Sequence, residues 1–185
     1  MKYKLPDGFE NKEEAMEALI KKEIDAAENE LYLVRQDIEK FLIEKKGYSE
    51  SEIEKDREFE VLTGNERCKS KADIVISIAG KKFVLIKCSV GALVSRERQA
   101  VACGRVLEPY QIPFAVVTDA VDAIILDTLT GKVLREGMES IPSRNELTEL
   151  IGSIEFKKLP PERAEKEKRI LLAFDAIKCT ITYGE

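Results

Sequence analysis

Apolar positions between residues 11 and 46 recur in steps of three and four: Met16, Ile20, Ile24, Ala27, Leu31, Val34, Ile38 and Phe41. That period lays one apolar stripe along a helix whose other faces carry Lys and Glu. One long helix fits, and so do two helices broken near Asn29. Asn11 is placed to cap the start, Glu13 and Glu14 suit the positive end of the helix dipole, and Gly47 supplies a left-handed stop. The stripe serves either as core or as a seam for a second helix. Beyond Gly47 the pattern changes. Glu58 to Leu62 reads as a strand. Residues 72–78 (ADIVISI) and 83–88 (FVLIKC) are apolar at nearly every position, as in central strands covered on both faces. The turn Ala79-Gly80-Lys81-Lys82 joins them as a hairpin. Residues 95–107 read as a helix capped by Ser95, 113–118 and 123–127 as strands, and Thr130-Gly131-Lys132 as a turn into Val133-Leu134. Ser143, with Glu146 three residues on, forms a capping box for a short helix through Ile151. Pro160-Pro161 opens a charged helix over 160–178.

This order of elements predicts a mixed α/β layer fold. The expected organisation is an α/β domain at 1–135, made of the helix at 11–46 and a core at 47–135. A helical extension at 136–185 packs on it. The chain has 185 residues, enough for such a domain and its extension.

Composition narrows the chemistry. There is no His and no Trp, and 35 acidic residues face 30 basic ones for a net charge of −5. Imidazole bases, Cys-His or Ser-His nucleophiles and His-ligated metals are excluded. No G-x-x-x-x-G-K-[ST] motif occurs, so nucleotide binding of the P-loop type is not expected. No apolar run approaches a membrane span and the N-terminus lacks an apolar signal core, so a soluble cytoplasmic protein is expected. No two cysteines form a C-x-x-C pair. Cys88 and Cys103, within apolar stretches, read as buried reduced thiols.

One constellation carries possible chemistry: Asp73 inside an apolar strand, Lys87 at the end of the next, then Ser89 and Gln99. A carboxylate there is costly unless paired or metal-bound, so a structural Asp73–Lys87 ion pair competes with a catalytic reading. The chain also carries V-R-Q at 34–36, K-G-Y at 46–48, K-S-K-A-D-I-V-I at 69–76 and K-K-F-V-L-I-K-C-S at 81–89. R-E-R-Q-A at 96–100, V-V-T at 116–118 and D-T-L-T-G-K at 127–132 follow. In this order the motifs resemble the N-terminal domain of type I restriction enzyme R subunits, from about Glu30 to Leu134. The resemblance implies a restriction-endonuclease-like, PD-(D/E)XK fold: a three-layer core with a central mixed sheet. It also implies a Mg²⁺-dependent endonuclease site in which two carboxylates hold the ion and a Lys orients the nucleophile.

Carried onto this sequence, the strand-two Asp is Asp73. The Glu-x-Lys positions fall on Lys87 and Ser89, and the helical acid on Glu30, with Glu28 as a weaker choice. A frame that keeps Lys87 as the catalytic Lys puts Leu85 at the Glu position. In either frame a metal ligand is missing, so a decayed site is expected. Asp73 would bind Mg²⁺ only if the site were active. Another carboxylate, such as Glu58, Glu60 or Glu97, would then have to complete it. Gln99 matches the family's Q-x-x-x-Y element, with Cys103 at the Tyr position. It is expected near a DNA backbone, with Arg96, Arg98, Arg35 and Gln36; for the arginines a solvated charged face is the alternative. DNA is thus the expected partner, beside a homodimer through the N-terminal or C-terminal helix.

Overall fold

The computed structural model describes residues 11–175. A 33-residue helix, α1 (Lys12–Glu44), comes first. Asn11 caps it by accepting from the Glu14 N–H at 2.9 Å, and Gly47 turns the chain away at φ 78°. Six strands follow: β1 (Ile53–Thr63), β2 (Glu66–Ile78), β3 (Lys81–Cys88), β4 (Phe114–Thr118), β5 (Ala123–Asp127) and β6 (Val133–Glu136). Helix α2 (Val94–Val106) lies between β3 and β4. The short α3 (Arg144–Leu150) and α4 (Pro161–Asp175) come last. The expected end of the last helix, 176–178, lies outside the described residues.

The strands form one sheet in chain order, β1-β2-β3-β4-β5-β6. Every neighbouring pair is antiparallel except β3–β4, where α2 supplies the crossover a parallel pair requires. The β2–β3 hairpin turns on Ala79 and Gly80, both at positive φ (49° and 74°), as a tight two-residue turn demands. Alternation along the central strands then sorts side chains between two faces. Val84, Ile86, Val116 and Ile125 pack with Ile38 and Leu42 of α1 and Leu147 of α3. Leu85 packs with Ala102 and Cys103 of α2 and Leu171 of α4. Ala115, Val117 and Leu126 meet Ala100 and Val101 of α2. The result is the three-layer α/β/α arrangement that the resemblance implies.

Two details differ from the sequence reading and two go beyond it. Strand β1 runs well beyond Glu58–Leu62. Its charged first half pairs along β2 from Ile53↔Ile76 onward, because an edge strand needs no apolar run to hold a ladder. Helix α2 is led by Leu93, which packs against the Ala100–Leu126 cluster and draws the start of the helix inward. The Ser95 hydroxyl donates to the Ala92 carbonyl at 2.6 Å instead of capping. The stripe of α1 is core only from Leu31 onward. Met16, Leu19, Ile20 and Ile24 are about half exposed. Finally, Cys68 on β2 is disulfide-bonded, whereas Cys88 and Cys103 are free and buried as expected.

Helix α2 approaches the sheet closely at Gly104, which accepts from the Ile112 N–H at 2.8 Å. A Cβ there would lie 2.8 Å from Thr128 Cγ2. Gly104→Ala is therefore expected to lose about 1–3 kcal/mol to overpacking, against a helix-propensity gain of roughly 1 kcal/mol. Urea unfolding should show a net loss. Adding Thr128→Ser, which removes the colliding methyl and keeps the hydroxyl, should restore most of it.

Candidate functional site

The β2–β3 register pairs Ile74 with Ile86, which brings Asp73 and Lys87 together across the two strands. The Asp73 side chain is 3% exposed. Its Oδ2 accepts the Cys88 N–H at 2.9 Å and lies 3.4 Å from Lys87 Nζ. Lys87 is 13% exposed and donates to the Lys71 carbonyl at 2.7 Å. The other face of the carboxylate meets α1, where Arg35 Nη1 lies 3.6 Å from Asp73 Oδ1. Arg35, 18% exposed, also places its Nε 3.7 Å from Asp56 Oδ1. Lys71 closes the cluster by pairing with Asp56.

Asp56 is a residue the sequence reading missed. The pairs Lys55↔Ile74 and Arg57↔Ala72 set it directly across from Asp73, and its φ of 52° is left-handed, which is uncommon for a residue other than Gly. Nothing in the charged run of β1 marks it; only strand register reveals it. Its carboxyl feels a partial burial that raises its pKa, but the ammonium of Lys71 and the guanidinium of Arg35 outweigh this and hold it below the usual value. Burial first, and then the Asp73 charge, push the Cys88 thiol far above the ordinary thiol range, so that thiol is inert at neutral pH.

The cluster therefore holds three cations, Arg35, Lys71 and Lys87, against two acids, Asp56 and Asp73. A divalent ion needs several oxygen ligands and would be repelled by the surplus ammonium charge. Among the described residues, no group of three acidic, Cys or His side chains is placed to hold a metal. The residues present do not fit a Mg²⁺ site. What they form is a satisfied ion-pair network in which amines take the place a cation would fill.

The other expected residues lie apart from this network. Glu30 is exposed on α1 and makes none of these contacts. Ser89 is buried, and its hydroxyl is engaged with both backbone groups of Gly91 in the loop after β3, at 3.2 and 3.3 Å. Glu58 and Glu60 pair with Lys69 and Arg67 along the β1–β2 ribbon. Gln99 is buried, donating to Asp175 of α4 at 3.0 Å while Arg96 donates to its carbonyl oxygen at 3.3 Å. Arg98 pairs with the buried Glu167 at 2.7 Å, and the buried Arg105 binds the other oxygen of that carboxylate at 2.7 Å. Burial raises the Glu167 pKa, but the two guanidiniums outweigh it and the group stays below the ordinary 4.5. Gln36 is exposed and donates to the Tyr32 hydroxyl at 2.7 Å. Of the five residues expected at a DNA backbone, then, Gln99 and Arg98 bind α4 and Arg35 binds the aspartates.

The layered fold, with an aspartate on the second strand facing the end of the third, defines a nuclease-like α/β domain. The sequence profile of the type I restriction enzyme R protein N terminus matches residues 31–142, more than half of the chain, and the chain belongs to that family. No curated protein and no solved structure matches it.

The network makes a specific demand on stability. Lys87→Met should cost about 2–4 kcal/mol in urea unfolding, because Asp73 stays buried with less compensation. Asp73→Asn added to Lys87→Met should recover part of that loss. The resulting double-mutant cycle should give a coupling of about 1 kcal/mol or more.

Proposed function

We propose that this chain is a PD-(D/E)XK nuclease-fold domain whose metal-dependent site has decayed, and that it acts in the cytoplasm as a DNA-binding or structural component. The observation that carries this reading is Lys87. It stands where the family motif calls for a metal-binding Glu, and its ammonium lies on Asp73. Ser89, at the position of the catalytic Lys, is turned into its own loop. In this reading residues 136–185 are an extension of the 1–135 domain, supported by Leu171 packing into the core beneath α2. DNA contact draws support from family membership. With a net charge of −5 it would rest on a local patch and be strongly salt-dependent.

Plasmid and branched DNA incubated with Mg²⁺ or Mn²⁺ should remain uncut. Robust cutting that disappears in Asp73→Ala would overturn decay and favour an active enzyme with a rearranged site. The double variant Lys87→Glu/Ser89→Lys rebuilds the Glu-x-Lys pattern. It should gain a Mg²⁺-dependent rise in melting temperature that the native chain lacks, since an ion bound only by the folded state stabilises it.

A second reading is a non-catalytic association module that pairs with a second copy of this chain. It is favoured by the exposed Met16, Leu19, Ile20 and Ile24, which continue the stripe of α1 beyond the sheet at coiled-coil spacing. Sedimentation should then show a concentration-dependent dimer that Ile20→Glu/Ile24→Glu abolishes. A chain that stays monomeric at high concentration sinks this reading.

A further inference from the structure

Helix α2 carries Val94, Arg98, Val101 and Arg105 along one stripe, at steps of four and three, and α4 lays Arg163, Glu167 and Ile170 beside it. Two adjoining recesses open between these helices, of about 330 and 460 Å³, and both have Arg98, Arg105 and Arg163 as walls. Val101 and Leu126 floor the first, and the turn Thr130-Gly131 closes its end. A Cβ on Gly131 would stand 3.5 Å from Arg105 Nη2, so the glycine, at φ 73°, keeps the turn from crowding that guanidinium. The stripe is distinct from the one that packs Ala102 and Cys103 against Leu85.

Donors exceed acceptors in this groove. Arg98 is 46% exposed and spends only Nη1 on Glu167, at 2.7 Å. Arg163 is exposed, and among the described residues its side chain has neither an ion pair nor a hydrogen bond. Lys166 stands beside it, exposed and equally without a partner. Of the carboxylates, Glu167 is buried and gives one oxygen to Arg98 and the other to Arg105. Glu97 and Glu162 complete the lining, so Arg98, Arg105, Arg163 and Lys166 outnumber three acids, in a chain whose net charge is −5. Arg105 registers the crowding. Burial holds its pKa below the ordinary guanidinium value, Glu167 opposes this, and the charges of Arg163 and Arg98 push in the same direction as burial. An anion seated against Arg98 and Arg163 would relieve that repulsion. A guanidinium binds oxyanions through paired N–H donors. Because Arg98 and Arg163 reach the groove from different helices, one ligand must answer both. The tetrahedral oxygens of a phosphate can do so, whereas a planar carboxylate offers two oxygens in one direction. A recess walled by two helices also admits a terminal phosphate end-on more readily than a continuous phosphodiester backbone.

We propose that the groove between α2 and α4 binds a small phosphorylated molecule by its terminal phosphate, gripped by Arg98 and Arg163 with the charge of Arg105 behind them. The site makes no use of the Asp73 cluster, so it stands whether or not the nuclease reading does. The test titrates the full chain with inorganic phosphate at constant ionic strength, by calorimetry and by amide chemical shifts. Phosphate should bind saturably, on the order of millimolar or tighter, with shifts centred on residues 98–105, 130–131 and 163–166. Arg163→Gln should melt like the native chain, since that side chain holds nothing else in place, and should bind phosphate about tenfold more weakly, the loss expected for a charge-assisted contact. Lys40→Gln, which removes the same charge from the exposed face of α1, should bind undiminished. A short duplex with unphosphorylated ends should not displace phosphate. The proposal is overturned by an absence of saturable binding, by Arg163→Gln binding like the native chain, or by Lys40→Gln weakening binding as much. Displacement by the duplex overturns it too, because the arginines would then belong to a nucleic-acid backbone.

Discussion

The burial of one carboxylate organises the fold. Asp73 sits on a strand whose neighbours in sequence are apolar, where an isolated charge would be prohibitive. Its compensation comes from three groups on two elements: the Cys88 N–H and Lys87 on β3, and Arg35 on α1. Each fixes something larger than itself. The first two hold the β2–β3 register, and Arg35 sets the position of α1 against the sheet. Because Arg35 also reaches Asp56, the backbone of β1 is committed to the same point, where it adopts a left-handed residue.

The opposite layer uses the same logic, again with a buried acid met by cations. Glu167 of α4 is buried and receives Arg98 and Arg105 from α2, while Gln99 binds Asp175 one helical stretch further on. Arg105 also donates to the Thr128 and Leu129 carbonyls, so α4, α2 and the end of β5 are tied through one guanidinium. Of the cationic side chains of α2, Arg105 is buried, while Arg96 and Arg98 stay exposed even though Arg98 reaches the buried Glu167.

Most of the fold was legible because its signals are local. Continuous apolar runs marked β2 and β3, Ala79-Gly80 marked their turn, and Asn11, Gly47 and the Ser143–Glu146 box marked helix ends. The resemblance pointed to Asp73 and to the conflict at Lys87, and the structure places those two side chains together. What stayed hidden depends on pairing between distant segments. Asp56 is one acid among many in β1 until register sets it opposite Asp73. Arg35 reads as a surface cation until α1 is laid on the sheet. The first half of α1 was left open between core and seam for a different reason: periodicity reports which residues share a face, not whether anything covers that face.

The strand order has a consequence for how the chain assembles. Each strand lies beside the one before it in sequence, and only the β3–α2–β4 step requires a crossover. Backbone pairing therefore needs few large loops to close, and the sheet can be extended one strand at a time from the β2–β3 hairpin outward. Such an order favours fast acquisition of the sheet. The ion pairs joining Arg35 to Asp73 and Glu167 to Arg105 close larger loops, and they tie helices onto a sheet whose own pairing is largely local.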